Sequence, residues 1–414
     1  MGKWVKSLLG TIGPITKGSG ISRDQSHSGE LPAVRYGEIY THHNEYVKDY
    51  VSRISNEVAE TAQPTHRGDI LFAGSGETPD DIGKCVALLD DGVFAGGDLV
   101  IFSPPDGSDP VYWGCLLNIP YVQKQKAMRA QGSSIYHIRP DAIKKIEVVY
   151  DSDADEQRHI AEILTTCDEV IEKSEAVVEK YRAIKAGMLK DLFTRGIGKN
   201  GKLRPPPESA PQLYKDTALG KVPREWEEKT IAEIGDVVTG STPSRSDSAN
   251  WGGDFNWISA QDFKDKYIYN AAEKVSDKGK RACHLLPLNS VLVTCIASIG
   301  LNAIAKVECA TNQQINAVIC EGCDYEYFYY LICFSDGKLK QLAGQTAVPI
   351  ISKTDFQQLL MAYPSDFAEQ QRIAERLSAI DAKIADELAV IAKYRKVKAG
   401  LMARLLTPPD GEVE

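Results

Sequence analysis

One phrase occurs twice in this chain. Residues 179–193 read EKYRAIKAGMLKDLF, and residues 392–406 read AKYRKVKAGLMARLL. Extended upstream, residues 156–194 align with 369–407 without a gap, with 18 identities in 39 positions, opening EQRHIAEIL against EQQRIAERL. Apolar side chains in the first copy fall at Ile160, Leu164, Cys167, Ile171, Val178, Tyr181, Met188 and Leu192, with Ser174 and Lys185 filling the two remaining steps of a 4-3 pattern. The second copy repeats this with Ile373, Leu377, Ile380, Ile384, Ile391, Tyr394, Leu401 and Leu405, and with Glu387 and Lys398 at the gaps. Five heptads without a proline require a long helix with an apolar seam. RGIGKNGKLRPPP and TPPD follow as helix stops. Two helices with matching seams should pack on each other. The lysines of the seam are expected to lie along apolar surface with their ammonium groups in water.

A repeat period above 200 residues indicates duplicated domains rather than a solenoid. The segments ahead of the helices also echo each other. Trp4, Ile12, Gly13, Gly18, Ser19, Ser22 and Arg23 correspond to Trp226, Ile234, Gly235, Gly240, Ser241, Ser244 and Arg245, and QGSSIYHIRPDAIKKIEVVY resembles GQTAVPIISKTDFQQLLMAY. The expected order is a first domain over 1–154, a helix over 155–195, a Gly-, Pro- and Lys-rich linker over 196–222, a second domain over 223–366 and a helix over 367–408. The runs GDILFAG, DLVIFSP, SVLVTCIASIG and INAVICEG read as strands. The predicted fold class is α+β: two mixed α/β domains joined by two long antiparallel helices as an internal pseudo-two-fold repeat, each helix ending near the other domain.

At 414 residues the chain has room for two or three domains. Its nine cysteines suit reduced thiols better than a disulfide framework, and its net charge of −9 argues against an extensive basic surface. The N-terminal MGKWVKSLLGTIGP carries only a short apolar stretch without a cleavage signature, and no run of about 18 apolar residues occurs, so a cytoplasmic protein without a membrane partner is expected.

The paired EQ..IA..L...D......V..KYR..KAG helices, the LGKVPREWE segment at 219–227 and TGSTPSRSDSANWGGDFNWISAQDF at 239–263 make the chain resemble the specificity subunit of type I restriction-modification systems. The first half carries the looser version, with KGSGISRDQSHSGELPAVRYGEI in place of the fuller motif. The resemblance implies that each globular half is a target recognition domain reading one part of a split double-stranded DNA site, with the helices as spacers. It also implies a chain without catalytic, cofactor or metal sites. S-adenosylmethionine, ATP and Mg would reside in two adenine-methylating methyltransferase (M) subunits and in restriction/translocase (R) subunits. A reader for a solitary methyltransferase, or a coiled-coil scaffold that binds no DNA, are the competing readings.

The polar loops nominate Ser19, Ser22 and Arg23 in the first half and Ser241, Thr242, Ser244 and Arg245 in the second, since hydroxyls and guanidinium suit base edges and phosphates. The same residues suit solvated turns. Asn312 and Gln313 in TNQQINAV fit adenine contacts or an amide ladder at a turn. Lys124, Lys126 and Arg129 in YVQKQKAMRAQG form a phosphate clamp or a solvated helix face. Val170, Val177 and Ile184 lie at seven-residue spacing outside the seam and are candidates for subunit docking. Enzymatic signals are poor. GETPDDIGKC has six residues between its glycines where a phosphate loop has four, and CEGC has no second close cysteine pair to complete a zinc site.

Overall fold

The computed structural model describes residues 3–344 and 347–409. The chain divides into two compact units, residues 1–176 with 388–414 and residues 177–387. Both boundaries fall inside continuous helices, Ala154–Thr194 and Phe367–Leu405, so each long helix contributes one part to each unit.

The two units share a strand plan. In the first, Trp4–Leu8 pairs antiparallel with Glu147–Asp151, which runs directly into the first long helix. In the second, Trp226–Thr230 pairs with Leu360–Pro364 ahead of the second long helix. Beside this pair the first unit has an antiparallel sheet ordered Ile15–Lys17, Leu99–Phe102, Ile70–Ala73, Cys85–Ala87. The second unit has Gly235–Thr239, Ile315–Cys320, Val291–Thr294, Asn302–Ala305, plus an outer strand Tyr267–Ile268. Ile70–Ala73, Leu99–Phe102 and Val291–Thr294 are buried along their whole length, so a continuous apolar run, without alternation, suits them. Each unit also has a parallel pairing in a second sheet, Ala33 and Val34 beside Phe94 and Ala95, and Asn256–Ile258 beside Cys309–Thr311.

Within each unit the long helices run antiparallel. In the first, Asp168 pairs with Lys398 and Glu175 with Arg395; in the second, Lys185 pairs with Asp381. Rising numbers on one helix thus meet falling numbers on the other. Ile160, Leu164, Cys167, Ile171 and Val178 are buried on the first helix, as are Ile373, Leu377, Ile380 and Ile391 on the second. Helix ends complete the domain cores: Phe193 stacks on Phe334 with ring centroids 5.3 Å apart in the second unit, and Leu406 lies in the core of the first.

The EQ that opens each helix phrase explains its own repetition. Gln157 Nε2 donates to the Asp151 carbonyl at 2.7 Å while its Oε1 accepts from the Asp109 N–H at 3.0 Å. Gln370 does the same with Pro364 at 2.8 Å and Asp324 at 2.9 Å. Asp109 and Asp324 in turn cap the helices Pro110–Leu116 and Tyr325–Phe334. One amide therefore ties the last strand, a domain helix and the long helix together in each unit. No described helix is long and apolar enough to cross a membrane.

Candidate nucleic-acid interface

The two matched loops leave their sheets through the same constraint. A Cβ on Gly18 would stand 2.0 Å from the Gly96 carbonyl oxygen, and one on Gly240 would stand 2.2 Å from that of Asn312. Only glycine lets the chain pass this close to the neighbouring strand end. Beyond that point the loops diverge.

In the second unit, Ser241 N–H donates to the Thr311 carbonyl at 2.8 Å, and its own carbonyl accepts from the Trp257 indole at 3.0 Å. The Ser244 carbonyl accepts from Asn250 Nδ2 and from the Trp251 indole, both at 3.2 Å. These bonds curl residues 241–250 over the Trp251 and Trp257 rings, which pack edge to face. Arg245 lies over this aromatic shelf, its guanidinium carbon 4.0 Å from the centre of Trp251 and 4.9 Å from that of Trp257. Glu273 accepts from both its terminal nitrogens, at 3.0 and 2.7 Å. That bidentate bond raises the guanidinium pKa and holds the Glu273 carboxyl below its usual range. Arg245 nevertheless remains 55% exposed, so it is presented from a fixed position.

Thr242 Oγ1 donates to Gln313 Oε1 at 2.5 Å, which brings the 241–245 loop to the 312–314 turn. Asn312 accepts from the Gln314 N–H at 3.0 Å and donates to Gln314 Oε1 at 3.3 Å, so its amide stabilises the turn. Ser241 Oγ accepts from the His284 N–H at 3.0 Å, and Ser244 Oγ lies 2.8 Å from Ser246 Oγ. Ser241 and Ser244 thus meet Arg245 through Trp257 and Trp251, Thr242 bonds Gln313, and the Asn312 amide bonds within its own turn. Sequence reading missed Glu273, Trp251 and Trp257 as partners of Arg245. The tryptophans stand in the quoted motif, but Glu273 lies 28 residues away on another strand and carries no local signal.

In the first unit, Ser19 Oγ donates to the Thr61 carbonyl at 2.8 Å, and Ser22 N–H donates to Gln25 Oε1 at 2.9 Å. Arg23 is exposed and makes no side-chain ion pair among the described residues. It lines a cavity of about 260 Å³ with Arg35 and Asp98.

The basic cluster does not form a clamp. Lys126 is fully buried, donating to the carbonyls of Gly83 at 2.7 Å and Leu117 at 2.9 Å, and burial lowers its pKa to about 8. Arg129 uses its guanidinium on the carbonyls of Gln125 at 3.1 Å and Lys145 at 3.0 Å. Lys124 alone stands exposed. The helix Pro120–Arg129 thus turns Lys126 inward, where two carbonyls replace the water of its ammonium group. Val170 and Val177 are half-buried on the first long helix, and Ile184 is 40% exposed. The seam lysines also depart from expectation: Lys398 is buried between Asp168 and Glu45.

The sequence profile of the type I restriction modification DNA specificity domain matches residues 223–392, which hold the Arg245 shelf and most of the second long helix. The chain is therefore similar, over this second half, to the specificity subunits of type I restriction-modification systems. The MjaIX specificity subunit of Methanocaldococcus jannaschii is 36% identical over 176 residues, 41% of this chain. The match spans only 40% of that relative's length. The putative MjaX specificity subunit of the same organism is 24% identical over 358 residues, 82% of this chain and 78% of the relative. In fold, the chain is similar to the S subunit of a type I restriction-modification system from M. genitalium, with a TM-score of 0.60 at 16% identity, covering 99% of this chain and 97% of that one.

Proposed function

We propose that this chain is the sequence-reading subunit of a cytoplasmic type I restriction-modification complex, in which residues 1–154 and 223–366 each read one half of a split DNA site. The observation that carries this reading is the pair of matched loops, leaving equivalent sheets past Gly18 and Gly240 and then presenting different side chains. A shared frame with diverged contacts is what two different half-sites require. The chain itself would contribute recognition, and two M subunits and the R subunits would contribute S-adenosylmethionine-dependent adenine methylation and ATP- and Mg-dependent translocation and cleavage. Val170, Val177 and Ile184 would belong to the surface that docks M. In this reading Arg245 is the leading contact of the second domain and Arg23 that of the first.

The test is to express the chain with its methyltransferase subunit and map methylated adenines across a genome. A split motif is expected. Replacing residues 224–366 with the corresponding domain of a relative of different specificity should change one half of that motif. A change in both halves, or in neither, overturns the modular assignment.

A further inference from the structure

The repeated helix phrase carries one aspartate and one lysine at matching positions in both copies and on its seam side, Asp168 with Lys185 and Asp381 with Lys398. In the first unit Lys398 Nζ lies 2.7 and 2.9 Å from the two Asp168 carboxylate oxygens and 2.6 Å from Glu45, with Lys398 only 7% exposed. In the second, Lys185 Nζ lies 2.6 Å from Asp381 Oδ1. A domain tyrosine completes each site: Tyr46 Oη donates to Asp168 Oδ2 at 3.3 Å, and Tyr330 Oη donates to Asp381 Oδ2 at 2.6 Å. The tyrosines come from unmatched places, Tyr46 from a loop and Tyr330 from the helix Tyr325–Phe334. The two domains therefore meet the same helix aspartate by different routes.

We propose that these two lysine–aspartate pairs set the register of the antiparallel helices, and that the tyrosines fix where each recognition domain sits along them. An apolar heptad seam tolerates a slip of one heptad, because apolar residues still meet apolar residues. The buried ammonium of Lys398 does not, since leaving it unpaired costs far more than a lost contact, and Lys185, its side chain 23% exposed, adds a smaller penalty. A slip one way places Lys398 and Lys185 opposite Ala161 and Ala374. A slip the other way places Lys398 opposite Glu175 but Lys185 opposite Leu388. Only the observed register gives both lysines a carboxylate.

The consequence for DNA, a defined distance between half-sites, rests on the proposed function, whereas register is measurable without DNA. The probe is disulfide formation in the full chain, with the native cysteines alone as control. Glu175→Cys with Arg395→Cys reports the observed register, where those side chains form an ion pair at 2.7 Å, and Glu175→Cys with Leu388→Cys reports the slipped one. In the otherwise native chain the first pair should cross-link about ten-fold faster or more. With all four pin residues made apolar (Asp168→Leu, Lys185→Leu, Asp381→Leu, Lys398→Leu) the ratio should fall towards unity. A neutral set (Asp168→Asn, Lys185→Gln, Asp381→Asn, Lys398→Gln) should do the same, and it serves where the apolar set fails to fold. An undiminished ratio in either folded variant overturns the proposal and assigns register to apolar packing. If the ratio falls but the methylated motif of the complex keeps one spacing, the link from register to DNA fails while the register role stands.

Discussion

Arg245 is held by three neighbours and is therefore a poor candidate for a casual surface charge. In a complex with the methyltransferase subunits, Arg245→Ala is expected to weaken specific binding by about 1–3 kcal/mol if the guanidinium reads a base, and to weaken specific and random duplexes alike if it meets phosphate. Titration of both duplexes distinguishes the outcomes, and unchanged affinity for both removes Arg245 from the interface. His43 makes a different, pH-dependent prediction. Burial, with His42 nearby, lowers its pKa from 6.5 to about 4, and its Nε2 has no partner. Above about 6.5 the ring is neutral whether the chain is folded or not. Below that, the unfolded chain takes the proton first, so stability should fall with pH until the folded ring also protonates near 4. His43→Gln should flatten the melting temperature between those values; an unaltered pH profile refutes the assignment.

At the scale of elements, the EQ glutamines and the helix pair make separate demands. Gln370 is fully buried and satisfies one donor and one acceptor, so Gln370→Ala should cost about 2–4 kcal/mol by stranding both. Denaturant unfolding measures this, and a cost below 1 kcal/mol would mean that water replaces the amide. The second long helix bears a further burden. Glu369 accepts from Arg204 at 2.5 Å, from the Ile197 N–H at 2.8 Å and from the Trp226 indole at 3.2 Å, drawing the linker onto its first turn. Its counterpart Glu156 is exposed, which is why identical letters in the repeat do not mean identical roles. On the proposed function, the helices would act as a ruler. Adding one heptad after Val178 and one after Ile391 keeps the seam in phase and lengthens the pair by about 10 Å, comparable to ~3 base pairs. Selection from a randomised DNA pool should return a longer non-specific spacer, or no binding where the groove phase cannot be met. Tight binding at the original spacing would locate the ruler elsewhere.

For the whole molecule, the acidic balance sets the expectation. In the proposed reading, a chain of net charge −9 should bind random duplex weakly when alone, with dissociation constants of ~10⁻⁶ M or above and a shallow salt dependence. Addition of the methyltransferase subunits should deepen both affinity and salt slope. A tight, steeply salt-dependent interaction of the isolated chain would mean that a basic surface, unrecognised in the sequence, dominates binding.

Sequence by itself determined the two long helices, their seam, the duplication and the strands of GDILFAG, DLVIFSP, SVLVTCIASIG and INAVICEG, because periodicity and apolar runs are local properties of the chain. It also placed Gly18 and Gly240 at matching points, although their purpose, a strand end about 2 Å from any added Cβ, is visible only in three dimensions. Tertiary structure alone decided the fate of the charges. Lys124 and Lys126 stand two residues apart on one helix, yet one is solvated and the other fully buried under two carbonyls. Lys398 reads as a lysine trailing along a seam, yet Asp168, 230 residues away, and Glu45, 353 residues away, enclose it. The free energy of a charged group is set by the groups that replace its water. Those groups are brought by distant parts of the chain, so no window of sequence contains them.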